Sequence, residues 1–273
     1  PLERETERLL RDLNVAQGRA QMRTMMEAQK RAIQFLEESA KPESGRDSTG
    51  VASLPDDTLV RFAITDAITN VLCPATKLWN TGHGANMMRE AVSLMGGYGI
   101  TEDCPGFLGM KWMDAQLEAT YEGPEAVQRR QLSVTMANEL FLTVFRGWIR
   151  EMRGVASEYP ETGACTLASA MELWLWSLTY LLEGKDADGR PLFKDQRQGV
   201  TFPMADALSW LLASRCQILD TIELAARGAE RGLDADALPG YVRFFSDLCH
   251  VQAARAAGET SRVCSLLVYG YNR

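Results

Sequence analysis

The chain has 273 residues, of which 46% are apolar and 24% charged, and it carries a formal net charge of −7 with a pI near 5.1. That is ordinary globular composition over a length that supports one or two packed domains. The acidic balance argues against a nucleic-acid partner, which needs a basic face.

Residues 3–39 read as one long amphipathic helix, with Leu9, Leu13, Ala16, Ala20, Met22, Met26, Ile33 and Leu36 at roughly helical spacing. Met22, Met25 and Met26 read as core filler, and the charges from Glu3 to Arg11 as a solvated face. Residues 40–56, rich in Pro, Gly and Ser, read as a loop. A helix is predicted to start near Asp56 or Asp57 and to break or kink at Pro74, with a further helix over 75–95 that is weak at Gly82-His83-Gly84.

Three glycines in four positions, Gly96, Gly97 and Gly99, end that pattern. Glycine tolerates positive φ and lets another backbone or a flat ligand come close, so the plain alternatives are a helix cap with a turn or a ligand approach. Thr120-Tyr121-Glu122-Gly123-Pro124 interrupts the next helical pattern, and a new helix is expected near Pro124. Glu122 then stands just before a helix N-terminus, as a surface carboxylate near a favourable dipole or as a group at the mouth of a pocket. The helix continues to about Arg153, and Tyr159-Pro160 breaks it, with a domain boundary near 150–163. Helices over 165–183, 203–231 and 239–270 complete the chain, with no convincing strand alternation. The 165–183 stretch is too short and too charged at Glu172 for a good membrane span.

Six cysteines without a C-x-x-C pair read as buried free thiols in a reducing compartment. His83 and His250 are the only histidines, and Asp247-x-x-His250 is one half of a di-iron pattern that needs two, so no metal is expected. The turn Gly184–Pro191 has an acidic pair but no EF-hand spacing. Pro1 in place of methionine, with no signal peptide behind it, reads as a fragment or a processed product.

The blocks G-G-Y-G-I-T-E-D-C-P (96–105), Asp114-Ala115 and Tyr121-Glu122-Gly123 followed by Val127-Gln128-Arg129 resemble, in order and spacing, the C-terminal helical domain of the FAD-dependent acyl-CoA dehydrogenases. The best-matched span is about 57–135. Residues 208–220 are more loosely similar to the C-terminal helical extension of longer members. The resemblance implies an all-α fold: a four-helix up-and-down bundle over 1–155, followed by a second helical bundle over 156–273. It also implies a helical and a β domain upstream, so this chain alone is not expected to complete an active site.

By position, Glu122 falls on the family's catalytic base. Gly96, Gly97 and Gly99 match the turn that approaches the flavin nucleotide of a neighbouring subunit, and Ser93 and Pro124 stand at two further cofactor-contact positions. Tyr121, Gly123 and Tyr98 are implied on the acyl-CoA side. Three positions depart from the pattern: Ser93 replaces a glutamine, Pro124 a threonine and Met113 an arginine. The implied reaction is α,β-dehydrogenation of an acyl-CoA thioester, with electron-transferring flavoprotein as acceptor. A homodimer or homotetramer is implied, in the cytoplasm or in the mitochondrial matrix of a eukaryote. Membrane-surface contact is an open second role for the extension. An acyl-CoA oxidase and a non-catalytic helical assembly module are the alternatives.

Overall fold

In the computed structural model the described residues are 4, 8, 11, 19–41, 57–101, 107–121, 123–194 and 196–270; the side chains of Arg19, Ala20 and Phe107 are not among them. The all-α expectation holds: the described residues form helices and turns and no strand, with one isolated bridge between Lys185 and Pro191. The helices are α1 (Arg19–Ser39), α2 (Thr58–Leu78), α3 (Gly84–Met95), α4 (Phe107–Glu118), α5 (Glu125–Thr135), α6 (Glu139–Glu158), α7 (Ala164–Glu183), α8 (Gln198–Arg227) and α9 (Leu238–Ser265). The chain splits into two compact units, Pro1–Val71 with Thr135–Arg150, and Leu72–Val134 with Glu151–Arg273.

In the first unit, Ala28 and Ala32 of α1 pack with Leu59, Val60, Ala63 and Ala67 of α2 and Leu140 of α6. The alanines recur at four-residue spacing on each helix, which keeps them on one helix face and lets the helices approach closely. Asp57 starts α2: its Oδ1 accepts the Leu59 amide at 2.9 Å and the Val60 amide at 3.2 Å. Its Oδ2 also pairs with Arg31 of α1 at 3.0 Å. Of the three methionines expected in the core, only Met25 packs there; Met22 and Met26 are mostly exposed.

In the second unit, α7, α8 and α9 pack against one another. Trp174 is fully buried and its Nε1 donates to the Met204 carbonyl at 3.0 Å. The acidic turn before α8 is satisfied by its own loop. Asp186 Oδ1 accepts the amides of Asp188 at 3.0 Å and Arg190 at 2.8 Å, and Oδ2 pairs with Arg197. These contacts, the Arg190 amide first, hold the Asp186 carboxyl below its usual range. Among the described residues no cluster of three His, Cys, Asp or Glu side chains forms a metal site, and no helix is long and apolar enough to cross a membrane.

Several boundaries differ from the pattern. Pro74 does not end its helix, which runs on to Leu78; Val71, Ala75 and Leu78 are buried around it, and that packing outweighs the lost backbone hydrogen bond. The irregularity falls on Trp79–His83, at the weak spot expected around Gly82-His83-Gly84: a widened turn in which the Gly84 amide reaches back to the Trp79 carbonyl. The single helix expected over 124–153 is two. Asn138 divides them, its Oδ1 accepting the amides of Leu140 at 2.9 Å and Phe141 at 3.4 Å to cap α6. The cysteines are free where described, but only Cys249 and Cys264 are buried; Cys73, Cys165 and Cys216 are exposed.

Candidate functional site

The residues singled out by the sequence lie at the two ends of α4, in the second unit. At one end, α3 stops at Met95 and Gly96–Gly99 forms one tight turn. Gly96 has φ +60°, a conformation open to glycine. The buried Gly99 packs so closely that a Cβ would stand 2.7 Å from the Val92 carbonyl. Its own carbonyl lies against Gly109 of α4, where a Cβ would be 3.3 Å away. Ser93 is exposed, and its hydroxyl donates to the Arg89 carbonyl at 3.2 Å. Tyr98 projects outward, 70% exposed.

At the other end, Thr120 closes α4, its amide donating to the Leu117 carbonyl at 2.9 Å and its hydroxyl at 2.7 Å. Tyr121 follows, exposed on one side. Lys77, from the last turn of α2, donates to the Tyr121 carbonyl at 3.1 Å, and its Nζ stands 4.9 Å from the centre of the tyrosine ring. Gly123 has φ +96°, and its carbonyl accepts Gln128 Nε2 at 3.0 Å. The Pro124 carbonyl accepts the amides of Val127 at 2.8 Å and Gln128 at 3.1 Å, so α5 starts at Glu125 as the sequence suggests. Glu122, the implied base, lies outside the described residues, as do 102–106.

The structure therefore brings Ser93, Gly96, Gly97, Tyr98 and Gly99 together at one end, and Tyr121, Gly123 and Pro124 together at the other. Twelve residues of α4 separate them, about 18 Å at 1.5 Å per residue. One flat group cannot touch both turns through short side chains at that spacing.

The glycine turn fits a flat cofactor in one respect. A Cβ at Gly96 or Gly97 would meet nothing within 4 Å, so the outer side of the turn is open to a planar group. Gly99, by contrast, is required by the chain's own packing. Ser93 keeps free lone pairs on its exposed hydroxyl and can still accept a hydrogen bond.

Behind the Tyr121–Pro124 turn lies a charged cluster that sequence reading missed. Arg129 pairs with Glu125 at 2.9 Å on its own helix and with Asp206 of α8 at 2.8 Å. Burial opposes the Arg129 charge, but the two carboxylates outweigh it and raise its pKa; at Asp206 burial is the larger influence and moves the carboxyl upward. Glu125 also covers Gly82, where a Cβ would come to 3.0 Å of its Oε1. Nearby, His83 stacks on Trp79 with centroids 4.3 Å apart and meets the Trp210 ring edge-on at 4.3 Å. These side chains line a polar pocket of about 250 Å³. A larger cavity of about 780 Å³, walled by Trp79, Leu212, Leu224 and Phe245 among others, contains none of the catalytic, cofactor or substrate residues expected from the sequence; Ser209, Leu212 and Cys216 of the 208–220 stretch line it.

Residues 51–137 match the family model described as acyl-CoA dehydrogenase, C-terminal domain. No curated protein and no solved structure matches the chain. The matched segment contains both turns, Lys77, Gln128 and Arg129, and stops before α6. Asp206 lies beyond it, and its ion pair with Arg129 joins the matched segment to the helices that follow. The signal for Gln128 was available: a long amide five residues after a glycine can reach back to its carbonyl. Lys77 and Asp206 are 44 and 77 residues from their partners, and no local pattern marks them.

Proposed function

We propose that this chain supplies the C-terminal helical part of an FAD-dependent acyl-CoA dehydrogenase, with Glu122 as the base. The observation that carries the reading is the Tyr121–Pro124 turn. It lies inside the matched segment, at the start of α5, and the carbonyls on either side of residue 122 are both hydrogen-bonded. When bound, FAD supplies the hydride acceptor for the β carbon. Glu122 removes the α proton, an acid too weak for a carboxylate in water. Two effects narrow that mismatch. The backbone amide of residue 122 donates to the thioester oxygen as negative charge builds there. Exclusion of water by the acyl chain raises the carboxyl toward working pH. Gly96 and Gly97 offer the open approach to the nucleotide of a neighbouring subunit, with Ser93 beside them. Gly99 keeps the turn closed against α3 and α4. Pro124 has no hydroxyl to offer a phosphate, and its part is to start α5. Tyr121 and Tyr98, both exposed, are the rings offered to substrate.

We propose a homodimer or homotetramer; the exposed Leu94, Met95, Ile100, Met110, Met113 and Leu117 of α3, α4 and the turn between them support that assignment. Electron-transferring flavoprotein is the proposed acceptor, and a reducing compartment the proposed setting. The test is Glu122→Gln in the FAD-loaded enzyme, screened against CoA thioesters by flavin bleaching. Turnover should fall at least ~10²-fold. Near-normal turnover would remove Glu122 from the reaction.

A further inference from the structure

The cavity of about 780 Å³ is walled by the last turns of α2, by α8 and α9, and by the turn between those two helices. No residue of the Gly96–Gly99 or Tyr121–Pro124 turns lines it. Its volume is that of a small-molecule site, roughly 300–1,000 Å³. The α2 wall is largely apolar, with Leu72, Ala75 and Trp79. The Trp79 ring is fixed by its neighbours: His83 stacks on it at 4.3 Å and Trp210 meets it edge-on at 5.0 Å. Leu212, Leu224, Leu233 and Phe245 continue the apolar surface.

One stripe of α8 lines the cavity. Ser209, Ala213, Cys216, Asp220 and Leu224 follow one another at three- and four-residue spacing, which puts Asp220 among apolar and neutral neighbours on that face. The nearby hydroxyls bond within the chain: Ser209 donates to the Ala205 carbonyl at 3.1 Å and Thr221 to the Gln217 carbonyl at 2.8 Å. Of the three charged groups that line the cavity, Glu223 and Arg231 pair with each other, and Arg227 also reaches Glu223 at 3.8 Å. The Asp220 carboxylate has no ion pair or hydrogen bond among the described residues. Its charge reaches two thiols. Burial moves Cys216 and Cys249 upward and Asp220 adds to both, against Arg215 at Cys216 and the Thr221 hydrogen bond at Cys249. Both thiols therefore stay neutral. Arg215 itself donates to Glu151 at 3.0 Å. Gln252 of α9 lines the same cavity, and its Nε2 is buried with no partner among the described residues.

We propose that this cavity is a binding site for a small amphipathic amine, its apolar body against Trp79, Leu224 and Phe245 and its ammonium on Asp220. An ammonium gives the Asp220 carboxylate a charge-assisted hydrogen bond that the chain does not supply. A carboxylate head in the same place would set like charge against like. The walls come both from the matched segment, through α2, and from the helices that follow it, so a ligand here would touch both. The inference does not depend on the role of Glu122.

The experiment titrates the complete protein by isothermal calorimetry, at low ionic strength, with 4-phenylbutylamine, 4-phenylbutanol and 4-phenylbutyrate. The three probes share a body and differ in the charge of the head. The amine binds with a Kd below about 1 mM, at least about fivefold tighter than the alcohol, and the acid binds more weakly than either. Asp220→Asn brings the amine to the alcohol's level and leaves the alcohol within about twofold of its parent value. Ala213→Phe fills the cavity from the same stripe and removes binding of the amine. If that variant does not fold, Thr76→Phe blocks the cavity from α2 instead. The proposal is overturned if the amine does not bind up to about 5 mM, if the alcohol or the acid matches it, if Asp220→Asn leaves it unchanged, or if its binding survives the filling variant. The readout is binding and not turnover, so it stands whatever Glu122→Gln does to the reaction.

Discussion

Replacing Gly123 with alanine tests the geometry of the turn without reference to catalysis. Gly123 sits at φ +96°, and a Cβ there would run into Gln128 Nε2. Two costs follow. The backbone conformation is unfavourable for an L-residue by roughly 1–2 kcal/mol. Gln128 must also withdraw, giving up its 3.0 Å bond to the Gly123 carbonyl, which is worth roughly 0.5–1.5 kcal/mol. The sum is about 1.5–3.5 kcal/mol. Guanidinium unfolding followed by circular dichroism measures it, with Gln128→Ala and the double variant completing a cycle. With the amide already removed, Gly123→Ala should cost only the backbone part. The cycle should therefore show a coupling of about 1 kcal/mol. A loss below about 0.5 kcal/mol for Gly123→Ala, with no coupling to Gln128, would mean that the turn does not have this geometry.

Asn138→Ala removes the cap on α6 and should cost about 1 kcal/mol in the same unfolding assay, while Asn138→Gly costs only a few tenths; equal costs for the two would rule out a capping role. His83 provides a pH test. Its imidazole is held below the usual 6.5, first by burial and then by Arg255, with Glu259 pulling the other way. A lowered folded-state pKa means that protons favour the unfolded chain. The contribution is whole above about pH 6.5 and is lost as pH falls toward the folded-state value. His83→Phe keeps a ring between Trp79 and Trp210 and does not titrate. On going from about pH 7.5 to 5.5 its melting temperature should drop less than the parent's. Equal drops would show that His83 does not contribute.

The limits of the sequence can be traced to distance along the chain. The caps and turns were visible because their partners are neighbours: Asp57 serves the amides two and three residues on, and Pro124 opens α5. The boundary at Asn138 was missed although it is also local, because Met136 and Leu140 are both buried and keep helical spacing across the break. A small polar residue followed by an acidic first turn was the better guide there. In α1 hydrophobic weight misled. The stripe packed in the core is Met25, Ala28, Ala32, Ile33 and Leu36, of which only the alanines are fully buried, whereas the more conspicuous Met22 and Met26 lie to one side of it and are mostly exposed. At the site, the motif located the turns, since glycine placement and helix starts are local properties. What holds the turn is not local. Lys77 reaches Tyr121 from another helix, and Asp206 meets Arg129 from α8. Side chains that act through tertiary contact leave no periodicity behind, so a motif can mark where a turn belongs without showing what holds it.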